Sequence, residues 1–261
     1  MPYRYCSQTH AGLVRENNED ALFVQEALGL VILADGMGGY KAGEVASNMA
    51  VNAIAQDLGD WLSQAPADAS DKSVRRAIEV SVEKANAAVF QASQHNEQYT
   101  GMGTTLVVAV FRQHTVVVGH VGDSRCYRLR RGQLTQLTKD HSLLQERVDA
   151  GLMTHKQAAN SPQKNVVTRA LGVEEDVVMD INDFTLTPGD SYLLCSDGLS
   201  DMVQDRQIAK ILNNEPSMEI KARALVNTAN AYGGHDNISV VLVETDPITK
   251  RRTLLSRLLG Q

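Results

Sequence analysis

Cysteine is scarce and poorly placed for cross-linking. Cys6, Cys126 and Cys195 are odd in number and far apart, which argues against a disulfide framework. Cys126 and Cys195 lie inside apolar runs, as small buried hydrophobes do. No apolar run approaches the roughly 18 residues of a membrane span, so membrane contact is not expected. The opening Met1-Pro2-Tyr3-Arg4-Tyr5-Cys6 lacks the apolar core of a secretory signal. Positive charge is not in excess: 25 Lys and Arg face 31 Asp and Glu, a formal net charge of −6, which argues against general nucleic-acid affinity. Repeats and low-complexity stretches are absent. These absences predict a reduced, cytoplasmic globular protein, and 261 residues are enough for one domain or two small ones.

What is present begins with Leu30-Val31-Ile32-Leu33-Ala34-Asp35-Gly36-Met37-Gly38-Gly39. A strand-length apolar run ends in an aspartate followed by glycine. The pattern returns at Ser191-Tyr192-Leu193-Leu194-Cys195-Ser196-Asp197-Gly198. Two buried strands each deliver a carboxylate at their end, with glycine expected to fold the backbone sharply away. A carboxylate buried there demands a cation or a donor.

Helical periodicity covers Ala42 to Leu62, and again Asp71, read as an N-cap, to Gln94. Period-two alternation follows at 104–111, 115–121, 124–130 and 133–137, read as an antiparallel meander with tight turns at Gln113-His114 and Arg131-Gly132. Strands resume at 177–186 and through the Asp197 run. A helix begins near Met218, capped by Ser217, and ends at Gly233-Gly234, and 238–244 is a last strand. Apolar-faced helices must cover sheets. The expected fold is therefore α+β, a four-layer α-β-β-α sandwich of two antiparallel sheets, with residues 140–171 as a small flap.

Acids recur at strand ends and tight turns: Glu19 and Asp20, Asp35, Asp123 in Gly122-Asp123-Ser124-Arg125, Asp197, and Asp236 in Gly234-His235-Asp236-Asn237. One such corner reads as ordinary turn chemistry. Several converging like charges require cations, and an all-oxygen set favours Mg²⁺ or Mn²⁺ over zinc.

The ordered series Arg15-x-x-x-Glu19-Asp20, Asp35-Gly36-Met37-Gly38-Gly39, Gly103-Thr104-Thr105, Gly122-Asp123-Ser124-Arg125, Ser196-Asp197-Gly198 and Asp236-Asn237 resembles the metal-dependent protein phosphatases. These are the PPM or type 2C serine/threonine phosphatases, here in their bacterial form. The resemblance implies the same sandwich, filling 1–247 ahead of a short basic amphipathic tail at 248–261. It implies that Asp35 bridges two Mn²⁺ or Mg²⁺ ions, one of them also held by the Gly36 carbonyl. Asp197 and Asp236 would complete the other. Glu19 would assist the ion on the Gly36 side through water, and Asp20 would orient water or a ligand from one layer further out. Asp123, with Asp197, would hold a third ion, and Arg15 would grip the substrate phosphate. Thr104 and Thr105 are expected to support the acids rather than react.

The implied reaction is direct attack of a metal-bridging hydroxide on a phosphoserine or phosphothreonine. Cys195 lacks the Cys-x5-Arg loop of a cysteine phosphatase and is read as structural. Where many eukaryotic members carry a histidine proposed as general acid, this chain has Met37, so that role is unassigned. The partners implied are phosphorylated proteins and an opposing Ser/Thr kinase, with the enzyme itself a monomer. The alternative from another class is a catalytically silent PPM domain acting as a binding or regulatory module.

Overall fold

The computed structural model describes residues 3–39, 42–66, 68–159, 161 and 166–245. The tail at 248–261 and Pro162-Gln163 of the expected flap lie outside the described residues. In chain order the elements are β1 (Tyr3–His10), β2 (Asp20–Gln25), β3 (Leu30–Met37), α1 (Ala42–Gln64), α2 (Asp71–His95), β4 (Gly103–Thr104), β5 (Leu106–Phe111), β6 (Thr115–Val121), β7 (Arg125–Arg130), β8 (Gln133–Gln136), α3 (Leu143–Asp149), α4 (His155–Ala159), β9 (Asp180–Thr185), β10 (Ser191–Cys195), α5 (Asp197–Ser200), α6 (Asp205–Asn214), α7 (Met218–Ala231) and β11 (Ile238–Thr245).

One sheet runs β1-β11-β10-β7-β8. The other runs β2-β3-β5-β6-β9, with β4 also paired to β3. Every pairing is antiparallel. Three apolar layers make this the four-layer sandwich that the sequence predicts. Ile32, Val108 and Val110 pack with Ile54, Leu58 and Ile78 of α1 and α2. Tyr127, Leu193 and Val240 pack with Leu225 and Val226 of α7. Val31, Leu33, Val107, Tyr192, Leu194, Val241 and Val243 pack between the sheets. Strands buried on both faces need no polar alternation, which is why 30–34 and 192–195 are continuously apolar.

Three details differ from the sequence reading. The meander is broken: β6 pairs with β5 and β9, whereas β7 pairs with β8 and β10 in the other sheet. The chain changes sheets at Gly122, whose φ of +96° suits a glycine. Helix α2 is capped by Ser70, whose side chain accepts from the Ser73 N–H, so Asp71 is its first residue. Helices α5 and α6, with Ile208 and Leu212 buried, were not anticipated. Other expectations hold. Arg131 and Gly132 both have positive φ in the β7–β8 turn, and Ser217 caps α7 by accepting from the Ile220 N–H.

Candidate metal centre

The strand period aims the first two acids. Along β3, Val31 and Leu33 face the space between the sheets, whereas Leu30, Ile32 and Ala34 face the helices. Asp35 therefore continues the inter-sheet stripe past its last apolar layer. Asp20 is the register partner of Asp35, and Leu22 and Val24 of its strand also pack between the sheets. The other sheet supplies Asp197 just after β10 and Asp236 just before β11, strands that are hydrogen-bonded neighbours. Asp123 stands in the crossing from β6 to β7. Five aspartates thus meet where the two sheets part.

The electrostatics record that convergence. Burial, then Asp20, Asp197, Asp123 and Asp236, pushes the Asp35 carboxyl well above the ordinary carboxylate range. Burial, then Asp123 and Asp236, does the same to Asp197. Burial raises Asp20 to about 6, and burial with Asp140 next to it raises Asp123 to about 7.

The supporting bonds are local and specific. Thr105 stands opposite Asp35, and its Oγ1 accepts the Asp35 N–H at 3.0 Å. The Thr104 hydroxyl donates to the Asp35 carbonyl at 2.9 Å. Both threonines brace the acids, as expected. The Ser196 hydroxyl donates to Asp20 Oδ2 at 2.9 Å and accepts the Ser239 N–H at 3.0 Å. Asn237 ties the 11–19 loop to the Asp236 corner: its Oδ1 accepts the Glu19 N–H at 2.7 Å, and its Nδ2 donates to Ala11 O and Asn17 O at 3.0 and 2.8 Å.

The glycines after the acids act differently from the sequence reading. Gly36 lies within β3 and Gly198 within α5, so neither makes a sharp turn. They permit close approach instead. A Cβ on Gly36 would lie 2.0 Å from Gly43 O, and one on Gly198 would lie 2.0 Å from Asn237 O. The Gly36 N–H donates to Glu19 O at 3.1 Å.

Glu19 stands half-buried at the rim, where burial first, and then Asp236 and Glu44, raise its carboxyl against the opposing pull of Arg15. Arg15 is exposed and reaches Asp236 Oδ2 at 2.9 Å. Beside Asp123 and Asp197 a groove of about 690 Å³ opens toward α3, lined by Arg125, Asp140, Ser142, Leu144, Val148, Met202 and Asp205. Sequence reasoning missed Asp201, which caps the C-terminal end of α5 one turn after Asp197 and raises both Asp123 and Asp197.

The set fits hard divalent cations. Asp20 Oδ1 and Asp197 Oδ1 are buried without a hydrogen-bond partner, which is costly for a carboxylate unless a cation meets it. Among the acids at this end the donors are all oxygens, as Mg²⁺ and Mn²⁺ prefer.

Comparison with known proteins gives concordant matches. The sequence profile of the family described as protein phosphatase 2C matches residues 9–242. The serine/threonine phosphatase stp of Listeria monocytogenes is 40% identical over 248 residues, covering 94% of this chain and 97% of the relative. The crystal structure of the Mycobacterium tuberculosis serine/threonine phosphatase PstP/Ppp superposes with a TM-score of 0.85 at 38% identity, covering 94% of this chain and 99% of that one. The catalytic domain of PstP in complex with two manganese ions superposes with a TM-score of 0.82 at 36% identity, covering 94% and 99%.

Proposed function

The chain belongs to the protein phosphatase 2C family, and from that membership we propose that it is a Mn²⁺- or Mg²⁺-dependent serine/threonine phosphatase that hydrolyses phosphoserine and phosphothreonine in proteins. The observation that carries this reading is the convergence of Asp20, Asp35, Asp123, Asp197 and Asp236, with two of their buried oxygens lacking any donor.

Asp35 would serve two ions at once, joined by the Gly36 carbonyl and Glu19 on one side and by Asp197 and Asp236 on the other. Asp123 and Asp197 would hold a third. Divalent ions held this way acidify water to a nucleophile and stabilise phosphoryl oxygens. The chain's own contribution is placement. Asp20, anchored by Ser196, orients ligands from behind Asp35. The Thr104–Thr105 pair fixes the Asp35 backbone, and Arg15 presents a permanently charged planar fork at the rim. The leaving group draws its proton from water or a residue other than Met37. The expected flap, 140–171, would shape the choice of phosphoprotein through Ser142, Leu144 and Val148, which line the groove. In the cell the protein would act as a cytoplasmic monomer opposing a Ser/Thr kinase. Among the described residues no helix is long and apolar enough to cross a membrane.

The decisive experiment is phosphate release from a phosphothreonine peptide with Mn²⁺, with and without chelator. The expected result is turnover that chelator abolishes. A folded, manganese-loaded protein that releases no phosphate would instead establish a silent binding module. Within the active protein, Arg15→Ala should lower kcat/KM on phosphopeptide by roughly tenfold or more, the scale of a lost charge-assisted contact. Manganese binding, read by calorimetry, should be retained. An unchanged kcat/KM would remove Arg15 from the phosphate site.

A further inference from the structure

His141 lies in Asp140-His141-Ser142, where the polar segment leaves the sheet, and its ring is buried. Its backbone N–H donates to Gly122 O at 2.9 Å, and its Nδ1 accepts the Gly122 N–H at 3.1 Å. This two-point clamp grips the residue before Asp123. The other flank of the same corner is held by Thr105, whose hydroxyl meets the Ser124 hydroxyl at 2.7 Å. A Cβ at Gly122 would lie 2.7 Å from Thr105 Cγ2. The corner is therefore bracketed by Thr105 on the Asp35 side and His141 on the other.

The ring is in turn fixed from behind. It stacks on His120 with centroids 4.7 Å apart and planes 19° off parallel, and the His120 Nε2–H donates to Lys139 O at 2.8 Å. His141 Nε2 faces Asp180 Oδ2 at 3.4 Å, and Asp180 Oδ1 accepts from Arg169 at 3.2 Å. The His141 carbonyl accepts the Thr168 N–H at 2.8 Å, where the segment returns.

His120, His141 and Asp180 group closely enough to suggest a cation site of their own, but the hydrogen bonds argue otherwise. A neutral imidazole has one lone pair. In His141 that lone pair, on Nδ1, is taken by the Gly122 N–H, so Nε2 carries the proton, with Asp180 Oδ2 and Arg169 Nη1 both 3.4 Å from it.

We infer that His141 is a positioning residue: by accepting the Gly122 N–H it holds Asp123 facing Asp197, and so governs how tightly the third cation is bound. The inference rests on the metal-dependent phosphatase reading. It also joins the base of the segment that follows Asp140 to an acid of the centre.

The test uses the full chain. In the wild-type protein, nitrogen NMR of labelled histidine should show His141 as the Nε2–H tautomer, both in chelator and with saturating Mg²⁺. A Nδ1–H tautomer would overturn the inference without any variant. His141→Asn places an acceptor oxygen on Cγ, where Nδ1 stood, whereas His141→Gln moves it one carbon outward. In equilibrium dialysis without substrate, His141→Gln should lose the Mn²⁺ ion that Asp123→Ala loses, and His141→Asn should keep it. Half-maximal activity should need about tenfold more Mn²⁺ in the glutamine variant and within about twofold of wild type in the asparagine variant. Equal ion counts in both folded variants, or equal loss in both, would overturn the role. Ion counting needs no turnover, so a wild type that binds Mn²⁺ without hydrolysing phosphopeptide would sink the proposed reaction and leave this comparison readable.

Discussion

Asp35→Asn should lower kcat/KM on a phosphothreonine peptide by at least about 10³-fold, while the chelated variant melts at or above the wild-type temperature. Disturbing a group that merely supports a metal ligand typically costs 10- to 100-fold. Asp35 lies among Asp20, Asp197, Asp123 and Asp236, where it would serve two ions at once, so its loss should exceed that range. Stability should move the other way. The contacts from Thr104 and Thr105 go to the Asp35 backbone, and a side-chain substitution leaves them in place. What disappears is a buried acid whose ionisation its neighbours oppose. Asparagine keeps the shape and removes that penalty, the usual opposition of stability and function at an active site. Phosphate release in Mn²⁺ and thermal melts in chelator read the two halves separately. Activity within tenfold of wild type, or a clear drop in melting temperature, would contradict the assignment of Asp35.

The central part of this site was legible because its signals are local. Apolar runs buried on both faces announce themselves as 30–34 and 192–195, and the period of two carries Asp35 onto the inter-sheet face with Val31 and Leu33. Acids recurring at strand ends suggested a common site, and the resemblance of the ordered motifs to the phosphatase family grouped them. What was not legible depends on residues distant in sequence. The role of Gly36 is set by Gly43, and that of Gly198 by Asn237; from the sequence alone both looked like turn formers. The change of sheet at Gly122 is invisible to alternation, because β6 and β7 are equally good strands in either sheet. The clamp from His141 spans 19 residues and uses a ring nitrogen on a backbone N–H, an interaction that no pattern of residue types encodes. Asp201 was hidden for the same kind of reason: it stands one turn after Asp197 only because the unanticipated α5 begins there.

Removing the metal should give the protein an inverted pH response. Burial holds the Asp123 carboxyl at about 7 and the Asp20 carboxyl at about 6, against about 4 in an unfolded chain. Each therefore keeps its proton in the folded chain at pH values where the unfolded chain has released it. The folded state binds more protons across that window, so stability must fall as pH rises. The contribution of these two acids is complete below about pH 4 and lost as pH passes through about 6 to 7, with about 4 kcal/mol of it lost between pH 5 and pH 7.5. For a chain of this length that corresponds to a melting temperature lower by roughly 5 to 10 °C at pH 7.5 than at pH 5 in chelator. Saturating Mn²⁺ supplies the positive charge that the protons supplied, and its binding must release them. The increment in melting temperature caused by Mn²⁺ should accordingly widen from pH 5 to pH 7.5. Calorimetry at pH 6 in buffers of different ionisation enthalpy should register at least about one proton released per chain on binding. A chelated protein that melts higher at pH 7.5 than at pH 5, or manganese binding that releases no protons at pH 6, would mean that these carboxylates do not share one enclosed space.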